Sequence, residues 1–135
     1  MRTTTFAALC TLATASTAFA VDPVGYHTFE ETESLLRAVA RDSDIAELET
    51  LGQSAGGRAI HIIRLAGDGP VDPDERPALF VGANMAGFHN AGTEAAIAFL
   101  EAVDDRAGEE AIASLLRNRT IYVAPILNPD AHDAI

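Results

Sequence analysis

Gly52-Gln53-Ser54-Ala55-Gly56 has the G-x-S-x-G spacing that presents a serine hydroxyl on a sharp turn. His89, His132 and several aspartates lie downstream as formal base and orienting partners. That chemistry needs a strand before the serine and a helix directly after it, whereas residues 58–65 read as a second strand, so Ser54 is expected in a hairpin turn. His89 and Glu94 are the other reactive pair, in the stretch ALFVGANMAGFHNAGTEAA over residues 78–96. Five residues apart, they miss the i, i+4 spacing that sets two ligands on one helix face. Catalytic zinc takes three protein ligands and keeps one position open, so His89 stands as a candidate metal ligand without companions. Glu94, at a helix start, reads as a carboxylate complementing the helix dipole. His27, His61 and His132 are scattered, with His61 expected as a partly exposed neutral imidazole on a strand. Asp130, His132 and Asp133 read as frayed-terminus residues, because no glycine turn or terminal bidentate carboxylate completes a calcium loop.

The elements that must position these side chains follow from pattern. Thr28 and Glu31 form a capping-box signature, and Leu35, Leu36 and Val39 recur at helical spacing, predicting a helix over residues 29–41. Residues 45–51 and 58–65 are β-like runs separated by Gly52, Gly56 and Gly57, a hairpin with a wide turn. Residues 67–77 (GDGPVDPDERP) are dense in Gly, Pro and Asp and should form an exposed connection. A buried strand is expected over residues 78–82, then a helix opening at Gly92-Thr93-Glu94 with Ala96, Leu100 and Val103 on one face. Glu109 and Glu110 start a further helix through Arg117, with charges that complement its dipole. TIYVAPIL over residues 120–127 reads as a strand buried on both faces in the parallel part of a sheet, with nothing after it to cover or flank it. Loop side chains that follow residues 78–82 sit at the carboxyl end of a strand, where open α/β sheets place their chemistry.

Arg2, the apolar run over residues 6–19 and Ala18-Phe19-Ala20 predict a secretory signal peptide over residues 1–20, cleaved after Ala20. The product is expected to be secreted or periplasmic. The apolar run is too short to span a bilayer, which needs about 20 residues, and no second such run follows. Cys10, the single cysteine, lies within that leader, so the mature chain has no disulfide and no thiolate ligand. Residues 21–135 suit one domain or part of one, burying about 65 to 70% of the unfolded surface. The chain has no lysine and a formal net charge of −11, which argues against a nucleic-acid partner held through phosphates.

The succession of pieces resembles the amino-terminal part of the zinc carboxypeptidase family, of the carboxypeptidase A, B and T type. The matching stretches are Tyr26-His27-Thr28-Phe29-Glu30-Glu31, Leu51-Gly52-Gln53-Ser54-Ala55-Gly56-Gly57-Arg58, residues 77–82, Gly92-Thr93-Glu94 and Pro125-Ile126-Leu127-Asn128-Pro129-Asp130. The resemblance implies an α/β fold with a mixed sheet flanked by helices, three-layer α/β/α, of which residues 21–135 are the amino-terminal portion and apparently incomplete. It further implies a zinc cofactor and proteolysis that releases carboxyl-terminal residues from a peptide or protein C-terminus. That family holds zinc with a histidine and a glutamate three residues apart before Gly-Thr-Glu. Counted back from Gly92-Thr93-Glu94, the histidine position falls on Ala86 and the glutamate position on His89. Phe88 stands where the family often has arginine or asparagine, and Ala131 where it usually has glycine. The family's third ligand, its carboxylate-clamping arginines and its general base would lie beyond Ile135. The expectation is a carboxypeptidase-like chain that does not itself cut peptides. The alternatives are a working enzyme with rearranged ligands that recruits His89 and, more remotely, a serine hydrolase through Ser54.

Overall fold

The computed structural model describes residues 25–132. The expected leader over residues 1–20, its cleavage point, Cys10 and Asp133 lie outside the described residues. Helix α1 (Phe29–Asp42) opens on the expected capping box: Thr28 Oγ1 accepts from Glu31 N at 3.2 Å, and the Glu31 carboxylate accepts from Thr28 N at 2.9 Å. Strands β1 (Ala46–Gln53) and β2 (Ala59–Leu65) form the expected antiparallel hairpin, with a register shift between Thr50 and Gly52. Then come β3 (Ala78–Gly82), α2 (Asn90–Asp105), α3 (Glu110–Asn118), β4 (Thr120–Ala124) and a single-turn α4 (Pro129–His132).

The sheet order is β1-β2-β4-β3, with β4 antiparallel to β2 and parallel to β3. Ile63 pairs with Val123 and Leu65 with Ile121, so these four side chains share one face. Leu36 of α1, Ala96, Leu100 and Val103 of α2, and Leu116 of α3 close on that face. Each such leucine contributes about 1.5–3 kcal/mol through burial, which is what holds helices of this length in place. The result is an α/β fold with a four-stranded mixed sheet flanked by helices. The opposite face bears Arg64, paired with Glu47 and Glu49, and carries none of these three helices.

β4 is buried as expected, but one expectation about flanking and one about burial are reversed. β4 does not lie unflanked: it inserts between β2 and β3 and is buried along most of its length. β3, expected to be buried, is the edge strand, and Leu79 and Phe80, which point to opposite faces, are 52% and 53% exposed. The cause is sheet order, because a strand with a neighbour on one side only is covered by fewer side chains. The connection over residues 67–77 is also more than an exposed loop. It contains a 3-10 turn (Pro73–Glu75), and its Arg76 is buried.

Candidate functional site

The carboxyl ends of the parallel pair β3 and β4 open into the loop over residues 83–89 and the turn over residues 125–128. Backbone pairing continues past both strands: Ala83 N donates to Ala124 O at 2.9 Å, Leu127 N to Ala83 O at 3.0 Å, and Asn128 N to Asn84 O at 3.2 Å. Asn84 sits at φ 49°, a left-handed conformation that asparagine tolerates better than most side chains. Its buried amide Nδ2 lies against Asn90 Oδ1 and Thr93 Oγ1, both at 3.2 Å, and against His132 Nδ1. Thr93 Oγ1 in turn donates to Pro125 O at 3.1 Å.

His132 anchors this cluster from α4 and is 2% exposed. Its Nε2 lies 2.8 Å from the His27 carbonyl oxygen, which can only accept. The proton therefore belongs on Nε2, and Nδ1 is left to accept from Asn84. Beyond it, Glu94 accepts from His27 N and contacts His27 Nδ1, both at 2.8 Å. The polar side chains at this end of the sheet are thus turned onto one another. His132 and Asp130 are not frayed-terminus residues: α4 is pinned to the fold at both positions.

Asp130 pins the hairpin turn. Its Oδ1 accepts from Ser54 Oγ at 2.6 Å and its Oδ2 from Gly56 N at 2.8 Å. The Ser54 hydroxyl first, and the Gly56 amide second, hold the Asp130 carboxyl below its ordinary range. Ser54 Oγ also accepts from Arg58 N at 3.0 Å, and neither partner is an imidazole. Since Ser54 lies between β1 and β2, the strand-serine-helix order of a nucleophile elbow is lacking. A methyl on Gly56 would meet Asp130 Oδ1 at 2.5 Å, so glycine is what lets the carboxylate seat there.

The metal-loop positions have a different character. Met85, Ala86, Phe88 and His89 are all exposed. His89 occupies the N-cap position of α2 without a side-chain capping bond, and its ring tilts against Phe88 with centroids 4.3 Å apart. Gly87, at φ +80°, is buried against α4, where a Cβ would meet the Ala131 methyl at 2.1 Å. Among the described residues, no three His, Cys, Asp or Glu side chains gather where a metal ion could be held. A zinc ion with three protein ligands does not fit the residues present at Ala86 and His89.

His61 is buried rather than partly exposed, because it shares the face of Ile63 and Leu65 that α1 covers. Its Nε2 lies 3.2 Å from Glu33 Oε1, and its ring stacks near Phe29. Sequence reasoning missed Asn84 and its link through His132 to His27 and Glu94. The one available signal was an asparagine just past a strand end, a position that favours left-handed backbone.

A family model for zinc carboxypeptidases matches residues 32–134. A zinc carboxypeptidase of Saccharothrix mutabilis subsp. capreolus is 30% identical over 108 residues, covering 78% of this chain and 25% of that protein. Carboxypeptidase D of Mus musculus is 27% identical over 111 residues, 80% of this chain and 8% of that protein. Among solved structures, thrombin activatable fibrinolysis inhibitor superposes with a TM-score of 0.72 at 18% identity, over 81% of this chain and 27% of that one. The chain therefore spans a quarter or less of the curated relatives it matches.

Proposed function

The chain belongs to the zinc carboxypeptidase family, and from that premise we propose that residues 21–135 form an exported carboxypeptidase-like unit that does not itself cut peptides. The observation that carries this reading is the pair Ala86 and His89 at the two loop positions where the family has its histidine and glutamate. A methyl group coordinates nothing, and a lone exposed imidazole is two ligands short of a catalytic zinc site. Loss of even a residue behind a ligand costs about 10 to 100-fold in metal affinity, so loss of direct ligands takes zinc binding out of the useful range.

Zinc content after dialysis, together with hydrolysis of an N-blocked dipeptide, tests the reading. The expected result is zinc well below one ion per chain and no hydrolysis. One tightly held zinc per chain, abolished by His89→Ala, overturns it in favour of an enzyme with rearranged ligands. Ala86→His combined with His89→Glu is expected to raise zinc affinity while leaving hydrolysis absent. Export rests on the leader over residues 1–20, and amino-terminal sequencing of the product outside the cell is expected to begin at Val21. An intact Met1 there removes that part of the proposal.

A further inference from the structure

The amino ends of β3 and β4 carry a second polar cluster, at the opposite end of the strands from the metal-loop positions. Ala78 pairs with Thr120 where these parallel strands begin, so Arg76 and Arg119, each just before its strand, arrive at one rim. Together with Arg117, Glu75, Val71 and Asn118 they line a cavity of about 240 Å3. Three of the nine arginines of a lysine-free chain with net charge −11 meet there.

Arg76 is 7% exposed and forms no ion pair among the described residues. Its Nε donates to Val71 O at 2.8 Å, and its Nη1 donates to Gly67 O at 2.8 Å and Leu116 O at 2.7 Å. Those bonds use three of the five guanidinium hydrogens. The remaining two, on Nη2, have no partner among the described residues. Gly69 closes over this atom: a Cβ there would stand 2.9 Å from Nη2 and 2.1 Å from Arg117 O. A buried cation compensated only by neutral carbonyls is costly, and an anion delivered to its open donors offsets that cost.

Elsewhere Arg37, Arg41, Arg64 and Arg106 are paired with carboxylates. In the cavity, Arg117 is shared with Glu110 at 3.0 Å, and Arg119 donates to Asn118 O at 2.8 Å without an ion pair among the described residues. Glu75 is the one carboxylate on the lining, so positive charge is in excess. We propose that this cleft binds an oxyanion, a phosphate or carboxylate group. Arg76 Nη2 is the fixed donor, and Arg119 and Arg117 close over the ligand from the exposed side. The planar guanidinium fork matches two oxygens of such a group. The small cavity suits one anionic group rather than a drug-sized ligand of about 300 Å3 or more. The proposal is independent of whether the metal loop holds zinc.

Titration of the full chain with inorganic phosphate and, separately, with succinate, followed by NMR of backbone amides and arginine Nε–H groups against sodium chloride at matched ionic strength, tests it. Saturable shifts centred on Arg76, Arg119 and Asn118, with a dissociation constant on the order of 1 mM or below, are expected for at least one anion. Saturation by phosphate alone assigns a phosphate ligand, and saturation by succinate a carboxylate. Arg76→Met also removes three bonds to backbone carbonyls and so perturbs the fold, which makes the deciding variant Arg117→Gln with Arg119→Gln, both exposed, expected to weaken binding about tenfold or more. Shifts that only track ionic strength, or binding unchanged in the double variant, overturn the proposal.

Discussion

The two ends of the β3–β4 pair treat polar side chains in opposite ways. At the carboxyl ends, Asn84, Thr93, His132, His27 and Glu94 are bonded to one another or to backbone, and the exposed loop positions Ala86 and His89 hold no partner of ligand type. At the amino ends, Arg76 is buried beside a cavity with three of its five hydrogens satisfied by carbonyls. The difference separates side-chain donors spent on one another from a guanidinium with more donors than its carbonyls accept, with Asn84 Oδ1, buried without a partner, the exception at the carboxyl ends. Position at the usual end of an α/β sheet does not by itself confer that surplus.

His132→Ala is the strongest challenge to the first half of the comparison. It leaves the His27 carbonyl and the Asn84 amide without their partner in a dry site and opens a cavity, so a loss of about 3 kcal/mol is expected in urea unfolding. A loss below about 1 kcal/mol would mean that the carboxyl-end cluster is not part of the folding core. Arg76→Met tests the other end. Removing donors from Val71 O, Gly67 O and Leu116 O is expected to cost about 2 kcal/mol, and phosphate should no longer protect the variant against heat. If phosphate protects it as well as it protects the parent chain, Arg76 is structural only.

Ser54→Ala sharpens the contrast, since it removes an exposed hydroxyl bond to Asp130 and the acceptor of Arg58 N and should cost only about 1 kcal/mol. The same contact has a pH signature. Asp130 is depressed in the folded chain, so its contribution is present above its ordinary value of 3.8 and lost as pH falls through the lowered folded value. Asp130→Asn should flatten that acid limb of the stability profile, and Ser54→Ala should narrow it. The smallest effect is expected at the metal-loop positions: Ala86→His with His89→Glu should move stability by about 0.5 kcal/mol or less, because both sites are exposed. A change several times larger would place that loop within the folding core.

Much of the fold is legible in local sequence. The Thr28–Glu31 box, the Gly-rich hairpin turn, the periodic face of α2 and the acidic start of α3 each specify an element through interactions a few residues apart, which a linear reading captures. The edges of those elements shift by one or two residues, as with α2, which opens at Asn90 rather than at Gly92. Within the candidate site, the mismatch of Ala86 and His89 with the ligand positions is also a matter of counting along the chain. The partners of His132, His61 and Asp130 are not, because they come from residues 28 to 105 positions away.

By itself, then, the sequence determined which segments become helices and strands, the family pattern they follow and the side chains offered at the metal loop. The tertiary structure alone decided the order of the strands, and with it burial. TIYVA and ALFVG are both apolar β runs, yet the first is central and dry while the second is an exposed edge, because only packing chooses which strand enters between two others. The same packing took Arg76 from a loop rich in Gly, Pro and Asp, buried its guanidinium against backbone carbonyls, and used three of its five hydrogens in doing so. Local composition does not encode that outcome, since it depends on where the end of α3 and the start of β4 come to rest beside it.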